Sequence, residues 1–233
     1  METAGVVLLL CFVAAVIGFL IWLQFHLQAK RRQEFFVTAM KLGLTYEHDD
    51  PFNTVDLPFV LFHRGDGRGI ENVMHGHAAG MDVRMFDYWY YEQSTNSKGH
   101  TSRSYYRFSC AMAWFDADCP HLALEKEGFF SRLADKIGFR DIEFESEEFN
   151  RAWQVSSDDR RFASAFVDAR MMEWLLAEGD IASYEVLGPM LLCSVDRLKP
   201  AEFENLLEVL RRFKAKVPDV VASLYPPAQK AEA

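Results

Sequence analysis

The chain has 233 residues, and its 25 Lys and Arg against 34 Asp and Glu give a formal net charge of −9. Three of those basic residues precede position 33, so the remainder carries 22 basic against 33 acidic side chains; phosphate backbones and anionic surfaces repel such a balance, which argues against nucleic acid as a partner. Four cysteines (Cys11, Cys110, Cys119, Cys193) form no C-x-x-C pair and read as small buried apolar residues of a reducing compartment, while 20 phenylalanines fit a well-filled core.

Residues 5–23 run nineteen positions without a charge, a proline or a side-chain amide. At 1.5 Å rise per residue, that is about the length of a helix crossing a ~30 Å hydrocarbon layer. A cleavable signal peptide would want a basic start and a shorter apolar stretch; here the start is Met1-Glu2-Thr3-Ala4, and Lys30-Arg31-Arg32 follow the span. A buried core helix fits poorly, since the segment is apolar on every face. The reading is a transmembrane helix over 5–27 that uses the lipid bilayer as its first partner. By the positive-inside rule Lys30, Arg31 and Arg32 stay in the cytoplasm. Residues 1–4 then form a short extracytoplasmic tail, and the soluble part lies on the cytoplasmic face of the cell membrane. The basic cluster is shorter than the 4–8 residues of a lipid-binding patch, so topology is its assigned role. Ala14 and Gly18 form a small-xxx-small pair, a weak signal for a homodimer.

Residues 28–50 are expected to hold a juxtamembrane helix and connector, with Phe36, Ala39, Met40 and Gly43 on one stripe and Gly43 as the stop. Pro51 and Pro58 mark an irregular link into an α+β domain over 51–225. Glu71–Gly80, Met81–Glu92 and Tyr105–Phe115 read as strands. Asp82–Glu92 is apolar or aromatic on both alternating sets, as for a strand covered on both sides. The polar stretch Gln93–Arg103 reads as a mobile hairpin loop, collared by Tyr90, Tyr91, Tyr105 and Tyr106. Short strands are expected at His121–Glu127, Ile142–Glu145 and Phe149–Val155, helices at Gly128–Ile137 and Asp159–Ala177, and a strand pair at Ser183–Asp196 around Leu187-Gly188-Pro189. The last helix opens at Pro200 and buries Phe203, Leu206, Leu207, Leu210, Phe213 and Val217. Residues 226–233 read as a disordered tail. Strands followed by helices without βαβ alternation mean an N-terminal transmembrane helix and then a mainly antiparallel sheet with packed helices.

Motifs for chemistry are thin. His75 and His77 share a strand face but make only half a zinc site, and Cys119-Pro120-His121 is a second incomplete pair. Asp116 and Asp118 read as the end of a strand. Gly65-Asp66-Gly67-Arg68-Gly69 lacks the Lys-Ser/Thr of a phosphate loop and reads as a flexible loop. No nucleophile elbow is present. No catalytic residue, metal ligand or cofactor is assigned.

Several stretches carry a resemblance. The apolar span, Lys30-Arg31-Arg32 and Leu42-Gly43-Leu44-Thr45-Tyr46 come first. Asn72-Val73-Met74-His75-Gly76 and Phe86-Asp87-Tyr88 follow, then Phe149-Asn150-Arg151-Ala152-Trp153-Gln154-Val155-Ser156-Ser157-Asp158-Asp159, and the close from Leu191-Leu192 to Val217-Pro218. Together they resemble a group of actinobacterial single-pass membrane-anchored proteins of uncharacterised function, a resemblance that spans nearly the whole chain and implies a single anchored domain without naming an activity. The leading reading is a binding or scaffold protein on the cytoplasmic face, more in keeping with a non-enzyme, with an unknown protein or ligand partner met at the tyrosine collar. The alternatives are a membrane-tethered enzyme with a cleft near His75 and His77, and an accessory subunit of a membrane complex.

Overall fold

The structure, a computed structural model, describes residues 2–126, 140–178 and 181–227. It opens with one uninterrupted helix, α1 (Glu2–Leu42), which joins the apolar span and the juxtamembrane segment. From Leu9 to Leu27 its large apolar side chains are exposed, apart from the half-buried Leu23. Beyond Arg31 one stripe turns inward: Phe35, Thr38 and Ala39 are buried, and Leu42 packs on the same core. The expected stripe was displaced by one residue. Phe36 and Met40 face outward, because Phe35 seats edge-on against Phe203 at a centroid distance of 4.9 Å. Gly43 ends the helix at φ +70°, as expected of a C-terminal glycine.

Among the described residues, seven strands form a single antiparallel sheet: β1 (Thr45–Asp49), β2 (Gly67–Ala78), β3 (Met81–Thr95), β4 (Thr101–Lys126), β5 (Arg140–Asp141), β6 (Trp153–Ser157) and β7 (Ser183–Asp196). The order is β1-β2-β3-β4-β6-β5, with β7 pairing β4 as well. Two cores lie on its two faces. Helices α1, α3 (Arg160–Phe166), α4 (Ala169–Ala177) and α5 (Phe203–Lys216) cover one. The connector of 3₁₀ turns at Thr54–Asp56 and Val60–His63 covers the other, where Phe59, Leu61 and Phe62 pack on Phe86, Tyr88 and Phe108. The strand expected to be covered on both sides is β3.

Several local expectations differ, each for an identifiable reason. The stretch Gln93–Arg103 is not a free loop. The β3–β4 ladder continues to Thr95 opposite Thr101, and the Asn96 side chain accepts from the amides of Lys98 and His100 to close a tight turn. His121 lies not in a separate short strand but within the 26-residue β4. That strand breaks register at Cys119-Pro120, opposite Gly188, whose φ of +56° lets β7 run through as one strand rather than two. Residues 147–152 form a helix, α2 (Glu147–Ala152), because Ser146 caps it by accepting from the Phe149 amide; the strand begins only at Trp153. The expected helix from Asp159 to Ala177 is two, since the Asp168 carboxylate accepts from the Met171 amide and starts a second helix. Residues 142–145 pair as no strand; β5 is only two residues long.

The terminal helix α5 buries Phe203, Leu206, Leu207, Leu210 and Phe213, as its pattern demands, and a short α6 (Val220–Leu224) follows. Phe213 stacks on Tyr184 of β7 at 4.1 Å. Each such side chain contributes about 1.5–3 kcal/mol of burial. The helix expected at residues 128–137 and the tail beyond Pro227 lie outside the described residues.

Candidate functional site

Arg31 sits four residues before Phe35, on the stripe of α1 that faces the domain. Its Nε donates to Asp87 Oδ2 at 2.8 Å, and its Nη2 donates to Asp87 Oδ1 at 2.7 Å and to the Leu198 carbonyl at 2.8 Å. The side chains are 16% and 5% exposed, so this is a shielded bidentate pair. Asp87 is an acid in the middle of β3, and the sheet is shaped to receive it. A bulge between Glu71 and Met74 puts Asn72 at φ +58°, a conformation asparagine tolerates, and aims its amide at Asp87 Oδ2, 3.2 Å away. Tyr46 donates to Asn72 Oδ1 at 2.9 Å, and burial raises its phenol above the ordinary range. Across the ladder, Ser109 donates to Asp87 Oδ1 at 3.4 Å and accepts from the Leu198 amide at 3.0 Å. Arg31, Asn72 and Ser109, from three different elements, therefore meet at one carboxylate, with Tyr46 and Leu198 bonded to them from behind.

Beside this node a cleft of about 560 Å³ opens between α1 and the sheet. Leu20, Leu23 and Leu27 line its helix side, Lys30, Arg31 and Arg32 its lower rim, and Arg107 and Arg197 its sheet side, with Glu34 and Glu71 as the acids. Arg107 belongs to β4, on the face of Ser109; Arg197 follows directly after β7. Arg197 is exposed as a residue, yet partial desolvation at the cleft and the charges of Arg31 and Arg107 hold its guanidinium below the ordinary value, opposed by Asp87 and Glu71. The cationic groups here thus repel one another. Tertiary structure has doubled back on the Lys30–Arg32 cluster and made five basic residues of three. Arg31 has become a docking residue rather than a purely topological one.

The tyrosines divide between the two faces. Tyr90 stacks on Tyr106 at 4.9 Å, while Tyr91 meets Tyr105 at 5.4 Å. Tyr90 does not belong to the exposed collar: it is buried with Tyr88 and Phe108 under the 3₁₀ connector. Tyr105 and Tyr106 are exposed and Tyr91 is half-buried. Tyr91 and Tyr105 continue a seam with Trp89, over which Arg103 and Arg107 lie, 4.6 Å from the Tyr91 ring and 5.4 Å from the Tyr105 ring respectively. Gly67 and Gly69 are part of β2 rather than of a flexible loop. A Cβ at either would come within 2.5 Å of the Tyr91 ring or 2.7 Å of the Trp89 ring, so these glycines form a flat seat for the seam.

The histidines are dispersed. His75 packs edge-on against Phe52 at 4.8 Å, and His77 pairs with Asp82 in solvent at 3.0 Å. Neither lines the cleft. Asp116 and Asp118 are both exposed, and burial pushes the Cys119 thiol up to about 12. His121 instead joins a second polar cluster: its Nε2 meets Glu185 Oε1 at 2.5 Å, and the same oxygen accepts from the Val60 amide at 2.7 Å. Glu125 is pushed up to about 7 by burial, with Glu185 and Asp141 adding to the shift and Arg64 opposing it. The cavity here holds about 20 Å³, room for one water and not for a substrate. The bonds of Glu185 to His121 and to the Val60 amide join the connector to β4 and β7.

The geometry defines a class: an α+β domain with a mainly antiparallel sheet, carried on a helix long and apolar enough to cross a membrane. No family model and no curated protein matches the chain. Its fold is similar to that in the crystal structure of the mycobacterial trehalose monomycolate transport factor A, TtfA. The TM-score is 0.61 at 15% identity, over 86% of this chain and 98% of that one. At that identity the likeness establishes the shared fold.

Proposed function

We propose that this chain is a single-pass membrane protein whose domain sits on the cytoplasmic face and serves as a non-catalytic accessory subunit of a membrane transport assembly. The observation that carries this reading is the continuity of α1: the exposed apolar half and the half docked in the domain core are one helix, without a flexible joint. A domain held that close to a bilayer suits work on a membrane partner better than turnover of a soluble substrate. The similarity in fold to a protein named as a transport factor supports the accessory role. Lys30 and Arg32 favour the cytoplasmic orientation. The exposed rings of Tyr105 and Tyr106, with the half-buried Tyr91 beside them, offer a contact surface of large area and low entropic cost. The reading also keeps the chain with the actinobacterial membrane-anchored group it resembles.

Crosslinking the full chain in its native membranes, followed by mass spectrometry, tests this. The expected product joins it to a multi-spanning transport protein. Recovery of the chain in the soluble fraction would overturn the anchor, alkaline phosphatase activity from a fusion after Ala233 would reverse the orientation, and a crosslink only to a second copy would replace the accessory role with a homodimer.

A further inference from the structure

We propose that the cleft between α1 and the sheet binds the headgroup of an anionic phospholipid from the leaflet in which α1 is anchored, with the phosphate at Arg32, Arg107 and Arg197 and the acyl chains along Leu20, Leu23 and Leu27. The inference rests on the membrane-anchored reading of α1 and names a ligand for its domain-side end.

Three independent features point to this occupant. The first is polarity along the cleft. Its lining passes from leucines of the apolar segment to arginines of the domain within the roughly 12 Å between Leu23 and Arg31, which is the order an amphiphile presents on leaving the hydrocarbon layer. The second is charge. The domain is strongly acidic as a whole, yet five basic side chains line this cleft against two acids. Arg31 is consumed by Asp87, and Lys30 makes only a 3.9 Å contact with Glu34. Arg32, Arg107 and Arg197 make no side-chain ion pair with an acid among the described residues. Guanidinium groups gathered at that density repel one another unless an anion enters, and their planar donor forks match phosphate oxygens. The four basic residues left once Arg31 is set aside also fall within the range expected of a phospholipid-binding cluster, which the three contiguous ones did not reach. The third is size: about 560 Å³ suits a headgroup and the first methylenes of its chains.

The Arg31–Asp87 pair gives the site its frame. It fixes the distance between helix and sheet, and Leu198, whose carbonyl and amide are both held there, directly follows Arg197.

The test uses the full chain reconstituted into nanodiscs of phosphatidylcholine alone or of phosphatidylcholine with phosphatidylglycerol, with bound lipids counted by native mass spectrometry after release. The expected result is retention of phosphatidylglycerol over phosphatidylcholine, weakened roughly tenfold to thirtyfold in R107Q/R197Q, at about a factor of five for each charge removed near a membrane surface. The charge-matched control R211Q/R212Q lies on α5 and should retain the preference. Equal retention of both lipids, or a preference unchanged in R107Q/R197Q, would overturn the proposal while leaving the anchor intact. Binding of inorganic phosphate to protein in neutral nanodiscs, without any preference for phosphatidylglycerol, would assign the arginines to a soluble anion and likewise overturn it. A chain that fails to enter nanodiscs would overturn both the anchor and the lipid site. Unfolding curves of R107Q/R197Q matching the parent keep a loss of lipid from being read as a loss of fold.

Discussion

Arg31 and Asp87 lie 56 positions apart, one on the helix that bears the apolar span and the other in the middle of the sheet, and they meet through two hydrogen bonds of 2.7 and 2.8 Å. The pair is what makes the helix and the domain a single body at this point. Asn72, Ser109 and Leu198 all converge on it, so neither partner can leave without stranding the others.

Removing one partner should therefore be costly. Arg31→Met is expected to destabilise the full chain by about 3 kcal/mol, because a shielded carboxylate is left without its counter-charge. The double variant R31M/D87N should cost less than the sum of the two single changes, by roughly 1–3 kcal/mol of coupling. Denaturant unfolding of the four proteins in one detergent measures the cycle, and strict additivity would mean that the pair is not coupled.

The Glu125 cluster makes a pH-dependent prediction. The folded-state value of Glu125 is raised to about 7 from the ordinary 4.5. The folded protein thus binds the proton more tightly than the unfolded chain, so the stabilisation it gives is fully present below about pH 4.5 and lost as pH rises through about 7. Glu125→Gln should raise stability at pH 8 by roughly 1–3 kcal/mol and leave it nearly unchanged at pH 4.5. Melting temperatures at the two pH values decide it; an equal gain at both would trace the effect to something other than ionisation.

Two left-handed glycines should respond differently to the same substitution. At Gly65, φ is +70° and an added Cβ would lie 2.4 Å from the Tyr91 carbonyl oxygen, a backbone atom that cannot step aside. At Gly80, φ is +75° and the space is open. Gly65→Ala is expected to cost ~3 kcal/mol or more, and Gly80→Ala only the ~1–2 kcal/mol of the conformation itself. Equal losses on chemical denaturation would show that the contact with Tyr91 relaxes freely.

The hairpin tip separates stability from recognition. Replacing Asn96–His100 by Asn-Gly should leave stability within ~1 kcal/mol, since the ladder up to Thr95 and Thr101 is kept. Replacing Tyr105 and Tyr106 together with Ser should reduce recovery of the crosslinked membrane partner severalfold, at the cost of the ring contacts of Tyr106 with Tyr90 and of Tyr105 with Tyr91 and Trp89, ~0.5–1.5 kcal/mol each. Unchanged recovery would remove the collar from the interface.

What the sequence determined by itself is the periodic and the local. A run of apolar residues on every face of a helix, the alternation along β3, the buried stripe of α5 and the left-handed stop at Gly43 each depend on neighbours a few positions away. Even the missed elements had local signals: Ser146 and Asp168 are capping residues, and Asp168 breaks a helix that apolar periodicity alone would have run through. Only the tertiary structure could decide the rest. The stripe of α1 was misplaced by one residue because Phe35 and Phe36 are equivalent until Phe203 is brought up against one of them. Arg31 read as a topological charge because Asp87 is remote in sequence, and the bulge that aims Asn72 at Asp87 leaves no composition signal. Arg107 lies inside β4 and Arg197 just past the end of β7, which pairs with β4; the two are 90 residues apart, and each is unremarkable alone. Long-range pairing places both beside the end of the apolar helix, and Coulomb interactions there act on distance in space and not on separation along the chain.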